Sequence, residues 1–534
     1  MLVKRLRFSV ACLAIGVSIS ANAQNNLGAA CGCPPVSVRD VPARTVNLST
    51  KADVDGNLIA TNTVLSCDTL YILNDKIYVG DGKSLTINPG TVVKAPFVGV
   101  PADENALIVS RGGKIFAPGT EECQIVFTST LDPMNGTYGM SNRGKWGGVV
   151  LLGRATNNLL AAPGGGPIST AVPGVGFIEG FTAAEPRNLF GMPVGSNDDN
   201  DNSGIMTYVS IRHAGAVVAA ANELNGLTMG SVGRGTTLSH IEVAANADDG
   251  FEFFGGTVDL KYASVVFSDD DGFDYDLGWK GRGQFWVQVK TDATTAAGGD
   301  NGFECDGDDG NAGSFYTIPN IYNATLIGSK GINGVAGDNG TALELKEATR
   351  GIIRNCVFAN FTDGFTLNAE AGHPAPGDSY ALWASGAGTD LVVENNTFIN
   401  CTKFMKGNVG AVITPTDTTN FLADGNTRFA SLAGFSPVHV MNMTNNSVTT
   451  KHDLIPGADI TPVTAPPIDG FFSPVTYRGA FKTGQKSWLS DYTINALIGL
   501  EGNLIPCITD INTDGNTNTS DFLLLLGAFG TSCQ

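Results

Sequence analysis

Residues Ala247–Asp276 read ADDGFEFFGGTVDLKYASVVFSDDDGFDYD, and one phrase occurs in them twice. Asp249-Gly250-Phe251-Glu252-Phe253 returns 22 residues later as Asp271-Gly272-Phe273-Asp274-Tyr275. An earlier copy is Asn225-Gly226-Leu227-Thr228-Met229. Later copies are Asn301-Gly302-Phe303-Glu304-Cys305, Asn339-Gly340-Thr341-Ala342-Leu343 and Asp363-Gly364-Phe365-Thr366-Leu367. The glycine-to-glycine steps are 24, 22, 30, 38 and 24 residues. Short steps with occasional insertions mark a repeat architecture.

A second phrase keeps the same beat. Thr237–Val243 (TLSHIEV) matches Asp259–Val265 (DLKYASV), and later copies begin at Ile321, Ile352 and Val392. Each repeat therefore holds at least two short strands. The Asp/Asn-Gly pair is expected to form a corner, glycine supplying a positive φ and the Asx side chain bonding nearby backbone. Alternation directs Phe251 and Phe253 inward and Glu252 outward. One such unit cannot bury its inner face alone, whereas stacked coils close a continuous core. The reading is all-β, a parallel β-helix. A β-sandwich is the rival, but it does not predict a 22-residue register.

Residues 1–23 carry Lys4, Arg5 and Arg7, an apolar run over Phe8–Ile19 and Ala21-Asn22-Ala23, the form of an export leader cleaved before Gln24. No later run is long and apolar enough to span a bilayer. Removing the leader's three cations leaves 29 of the 32 bases against 51 acids, a net charge of −22. Such a chain does not bind nucleic acid through phosphate neutralisation. Its acidity suits an extracellular protein that meets divalent cations, and solubility alone accounts for it nearly as well.

Nine of the ten cysteines follow the leader, and in an exported protein some should pair. Cys507 with Cys533 is the expected closure of the last module. Cys31 or Cys33 with Cys67 is a candidate staple of the N-terminal cap, while the pairing of Cys123 stays open. Cys305, Cys356 and Cys401 sit in strand-like positions and are expected as buried thiols.

Segment 24–69 reads as an N-terminal segment and cap, and 70–410 as the coil. Within the coil, 159–203 is a Gly/Pro/Asn/Asp-rich excursion of the kind that often builds a binding face. Residues 411–500 lose the beat and are expected to cap the last coil, and 505–534 form a separate tail.

The blocks LTINPGTVVKA (Leu85–Ala95), ALIVSRGGKIFAPGT (Ala106–Thr120), KWGGVVLLGRA (Lys145–Ala155), the Leu224–Tyr262 region and GFFSPVTYRGAF (Gly470–Phe481) together resemble a family of secreted bacterial surface proteins typical of the Bacteroidetes and neighbouring phyla. The resemblance covers roughly 65–495. It implies a right-handed β-helix, export and surface location, and it implies no particular activity.

Asp510, Asn512, Asp514, Gly515, Asn516, Asn518 and Asp521 take the spacing of a calcium loop. Oxygen ligands fall at loop positions 1, 3, 5 and 9, glycine at the sharp bend, a backbone carbonyl at Asn516 and a carboxylate at the end. With the apolar stretch Phe522–Phe529 it resembles a dockerin repeat. A true dockerin has two repeats and this chain has one, which leaves Ca²⁺ binding intact and puts a cohesin-type partner in question.

Asp249, Glu252, Asp271, Asp274 and Glu304 should stack into an acidic ladder, coils lying about 4.8 Å apart. Carboxylates at that spacing repel by roughly 3 kcal/mol at an effective dielectric near 20. The ladder is therefore a solvated face balanced by Lys261, Lys280 and Arg282, or a calcium or sugar site. It is also the place where Lys280 or Arg282 would imitate the base of a β-helical polysaccharide lyase. A glycosidase would need one selected carboxylate pair, and no catalytic set is assigned. His213 and His240 read as structural. Trp279, Phe285 and Trp286 are core residues or sugar-stacking rings. Two functions stand: a surface β-helix for binding or adhesion, toward carbohydrate or cell-surface ligands, and a β-helical carbohydrate-active enzyme.

Overall fold

A computed structural model describes residues 24–54, 56–58, 62–100, 105–159, 168–219, 222–290, 301–307, 316–331, 340–369, 378–384, 390–490 and 492–502. The chain is a parallel β-helix. Ten strands, from Lys76–Val79 to Lys403–Asn408, form one sheet in chain order. A second sheet of 18 strands wraps the rest of each coil. Pairing begins before residue 70, because Thr45–Asn47 lies parallel to Leu70–Ile72.

The repeated phrases fall in register. Leu227, Phe251, Phe273, Phe303, Leu343 and Phe365 occupy one column of the ten-stranded sheet. One copy sits two residues away from its expected place. Leu343 lies beside Phe303, so Ala342 and not Gly340 follows Gly302 down the corner column.

The corner glycines are needed for a different reason from the expected one. Among the positive-φ glycines, Gly226, Gly250, Gly272, Gly302 and Gly364 do not occur. A Cβ on Gly250 would collide with Val265 and lie 2.7 Å from the carbonyl of Gly272, and one on Gly302 would lie 2.5 Å from the carbonyl of Ala342. At Gly250 and Gly302 the neighbouring coil approaches too closely for a side chain, while Ala342 fits at its own place in the column.

The positive φ falls instead midway along the long strands of the larger sheet. Tyr208, His240, Tyr262 and Phe285 stand at φ 49, 54, 58 and 59°, followed in the same column by Asn323, Asn355 and Asn395. Left-handed backbone is costly for bulky side chains. Ring stacking offsets the cost, with centroid separations of 4.3, 4.2 and 4.9 Å down the four aromatic residues. Asparagine, which tolerates this conformation, takes over where the rings end.

The core between the sheets holds Trp146, Trp279 and Trp286, none more than 1% exposed. Cys33–Cys67 and Cys31–Cys123 tie the N-terminal segment to the first coils. Cys305, Cys356 and Cys401 are buried thiols. At the far end helix Pro415–Ala423, with a capping box between Thr414 and Asp417, buries Phe421 against Phe365 at 4.7 Å. The rest of the segment expected as an end cap runs back along the flank of the larger sheet. Lys261 donates to Phe471 O, Asn323 to Tyr477 O and Arg478 to Asn396 O. Among the described residues no helix is long and apolar enough to cross a membrane. Cys507, Cys533 and the Asp510–Asp521 loop lie outside the described residues.

Candidate carboxylate site

Two columns of polar side chains meet on the ten-stranded sheet. The first lies on its outer face. Thr228, Glu252, Asp274, Glu304, Glu344, Thr366 and Lys406 stand opposite one another in successive strands. Phe251, Phe253, Phe273 and Tyr275 alternate with them into the core.

The second column precedes the strands. Asn225 Oδ1 accepts the backbone N–H of Asp249 at 3.1 Å, and Asp249 Oδ1 that of Asp271 at 2.8 Å. Asp271 Oδ1 accepts the N–H of Asn301, and Asn301 Oδ1 that of Thr341 at 2.9 Å. Each side chain thus clamps the next coil. Asparagine does this at both ends and aspartate in the middle, so the clamp itself does not require a charge. The second oxygen of Asp271 accepts from Asn301 Nδ2 at 3.3 Å.

The columns converge at Asp249, Glu252 and Asp274, whose carboxylate oxygens lie within 4.8 Å of one another, as do those of Asp248, Asp249 and Asp270. The face is buried around Asp249, Glu252 and Asp271 and half-buried at Asp274, Glu304 and Glu344. Asp249 is 9% exposed, Glu252 8% and Asp271 1%. Burial first, then neighbouring carboxylates, pushes Asp249, Glu252, Asp271 and Asp274 well above the usual carboxylate range. Asn225 Nδ2 donates to Glu252. Asp274 Oδ1 and the hydroxyl of fully buried Thr228 make no hydrogen bond among the described residues.

The expected cations are engaged elsewhere. Arg282 pairs with Asp259 and, at 2.7 Å, with Asp469. Lys261 is held by Phe471 O and Ser473 Oγ on the flank. Lys280 feels Asp199. All three branch from the larger sheet or its approach, which turns them away from the ladder. The lysines at the ladder are Lys346, paired with Glu304 and 3.3 Å from Asp306, and Lys406, 2.8 Å from Asp363. Burial works to raise the Glu304 pKa, but the Asp271 hydrogen bond and Lys346 bring it below the usual range. Lys346 and Glu344 escaped the sequence reading because aligning Gly340 with Gly302 displaced that copy by two residues. Aligning Leu343 with Phe303 places Glu344 on the ladder and Lys346 beside it.

The other candidates are structural. Trp279 and Trp286 are 0% exposed and Phe285 3%, so none can stack on a sugar. His213 bonds Asn142 O through Nδ1 at 2.7 Å, and His240 lies within the aromatic stack. The excursion folds over the outer face, where Leu159, Ile178 and Phe190 pack on Ile108, Val150 and Leu152.

No curated protein matches the chain. A solved structure, the enzymatically active domain of bacteriophage CBA120 tailspike protein 2, is 13% identical over 74% of this chain and 51% of its own, with a TM-score of 0.25. The chain thus spans about half the length of that structure. A family model described as a pectate-lyase-like β-helix domain matches residues 56–434, and the chain belongs to that family.

Proposed function

We propose that this protein is an exported, surface-associated β-helix that binds carbohydrate on the outer face of the ten-stranded sheet, with a divalent cation among Asp249, Glu252 and Asp274. The observation that carries the reading is the convergence of those carboxylates within 4.8 Å, Asp249 and Glu252 buried and Asp274 half-buried. Clustered hard oxygens of that kind suit Ca²⁺. The orphaned Asp274 Oδ1 and Thr228 hydroxyl fit the same occupant. Carbohydrate is favoured because the family is described by its likeness to a polysaccharide-cleaving enzyme. Export is supported by the leader at 1–23 and by two disulfides, which persist in oxidising compartments. The tail loop Asp510–Asp521 is a second calcium site by its spacing, with a docking role for the apolar stretch Phe522–Phe529 that follows.

A second reading, a glycoside hydrolase, is favoured by Asp274 and Glu304. They stand in direct register with pKa values pushed in opposite directions, the arrangement that separates an acid from a base. A lyase is less favoured. Its base must be unprotonated, and the surrounding carboxylates raise the Lys346 pKa against its burial.

The test uses the full chain with the tail loop disabled by Asp514→Ala. Calcium titration by calorimetry should show one site that Asp274→Asn and Glu252→Gln weaken. A polysaccharide panel scored for both retention and new chain ends separates binding from hydrolysis. Absence of calcium uptake in the Asp514→Ala protein would remove the ladder site.

A further inference from the structure

The ten-stranded sheet carries a second polar site, of opposite charge, at its other end. Strands Ala106–Val109 and Gly148–Leu152 are neighbours, and each is followed at its carboxyl end by an arginine, Arg111 and Arg154. With Ser110, Asp81 and Arg187 they line an open groove of about 510 Å³. In a chain with 51 acids and 32 bases, three guanidinium groups around one groove stand apart from the general charge.

Each arginine is held differently. Arg187 stacks on Tyr78, 4.0 Å from the ring centroid, and is forked onto Glu185 at 2.7 and 2.8 Å, so its charge is matched. Arg111 donates from Nη1 to Gly191 O at 2.7 Å and to Met192 Sδ at 3.9 Å. Those bonds use one of its three nitrogens and bring no negative charge. Burial and then the neighbouring Arg154 lower its pKa. Arg154 reaches Asp81 at 3.0 Å, but the Asp81 side chain is 75% exposed and that of Arg154 35%. An ion pair so open to water is weak, so an incoming anion can displace Asp81 at little cost. Gly112 keeps the space for this exchange, since a Cβ there would strike both Asp81 and Arg154.

We propose that Arg111 and Arg154 form a subsite for the anionic group of an acidic saccharide, a carboxylate or a sulfate ester. The guanidinium fork matches both groups, which offer coplanar oxygens for paired N–H donors. The groove and the carboxylate cluster lie on one sheet. Strand Gly148–Leu152 is separated from Phe251–Phe254 by Leu227–Gly230, a distance of two strand steps or about 10 Å. The excursion joins them: Arg187 and Met192 line the groove, and Glu179 acts on Glu252. The outer face between them is covered by Leu159, Ile178 and Phe190, so the arginines form a subsite of their own at the edge of the excursion. This deepens the carbohydrate reading above and rests on it for the ligand's backbone, but not on the cation.

The test measures binding of the full-length protein to polygalacturonate, dextran sulfate and neutral dextran, in EDTA and in calcium. The expected result is retention of at least one acidic polymer over dextran, weakening with salt. Arg111→Gln with Arg154→Gln should reduce it roughly tenfold to a hundredfold, the worth of one or two hydrogen bonds to a charged group. Asp81→Asn should tighten it. Loss with polygalacturonate alone assigns a carboxylate, and with dextran sulfate alone a sulfate. Equal binding of dextran, or an unchanged affinity in the double arginine variant with an unchanged melting temperature, overturns the subsite. Glu252→Gln serves as the separate control: if it abolishes calcium uptake and leaves the arginine effect intact, the two sites are independent. In EDTA, a protein that still needs both arginines supports the groove whatever the calcium titration finds at the carboxylates.

Discussion

Asp249 Oδ1 accepts the backbone N–H of Asp271 at 2.8 Å, the same bond that Asn225 makes to Asp249 one coil earlier at 3.1 Å. The pair separates two demands on one position. Coil clamping needs an oxygen acceptor, which either residue supplies. A negative charge at that place strengthens a bond that asparagine also makes, and carries the cost of burial beside Asp248, Asp271 and Asp274. On the proposed reading, a bound cation accounts for the charge.

Asp249→Asn is therefore expected to act in opposite directions with and without cation. In EDTA the variant keeps the clamp, sheds one buried charge and melts higher, by roughly 1–3 °C. In calcium the wild type gains by mass action, about 2.7 kcal/mol at a hundredfold excess over its dissociation constant, and the variant gains far less. Differential scanning in the Asp514→Ala background reads this. If the variant melts lower in EDTA and responds to calcium like the wild type, the charge has another purpose.

The corner glycines give a second comparison. Gly250→Ala places a methyl group against Val265 and the Gly272 carbonyl, with neighbours above and below in the stack. A loss of about 2–4 kcal/mol is expected. Gly82, with φ +69° and nothing within 4 Å of an added Cβ, tests backbone conformation alone, and Gly82→Ala should cost about 1 kcal/mol. Urea midpoints that rank the two in reverse would mean that φ, not space, governs the corners.

These glycines also show what the sequence could and could not reveal. The period, the inward Phe251 and Phe273 and the outward Glu252 and Asp274 were legible, because a parallel coil repeats the same environment every turn. The reason for glycine was not, since Asp-Gly serves equally for a positive-φ turn and for close stacking. Burial of the ladder was also invisible. It depends on the surroundings of Glu252 and on the Asn225 column, and alternation only says that a residue leaves the core. Lys346 was hidden by a two-residue misalignment at an insertion, where the period gives no guide. The destinations of Lys261 and Arg282 depend on Phe471, Ser473 and Asp469, about 200 residues away in the chain.

The disulfides predict a local failure. Cys33–Cys67 closes 34 residues and Cys31–Cys123 closes 92, and such loops are worth about 3–5 kcal/mol each in the chain-entropy account. Arg39 depends on them, since its guanidinium donates to Cys67 O, Gly90 O and Leu27 O. Reduction should expose the segment before Thr45 to protease while the later coils stay protected. Mass spectrometry of the first cleavage sites decides it, and initial cuts beyond residue 200 would contradict it.

His240 predicts the acid response. It stacks between Tyr208 and Tyr262, with Trp488 and Tyr492 of the flanking segment edge-on, Ser239 Oγ 2.8 Å from Nδ1 and Lys261 nearby. Burial, then the Lys261 ammonium, lowers its pKa to about 4, against 6.5 in an unfolded chain. Between those values the unfolded state binds more protons, so stability falls as pH falls, and above about 6.5 the group contributes nothing. The loss is about 2 kcal/mol by pH 5. His240→Phe should remove it without breaking the stack, because Phe285 occupies the same left-handed corner two coils on, at φ 59°. Asp249, Glu252, Asp271 and Asp274, with raised pKa values, change stability in the opposite sense, and all the ladder carboxyls are common to both proteins, so the difference between variant and wild type isolates the histidine. Urea unfolding at pH 7 and pH 5 should show the wild type losing about 2 kcal/mol more than the variant. Equal losses would mean that His240 is protonated in the fold, and that the ring column is held by something other than a neutral imidazole.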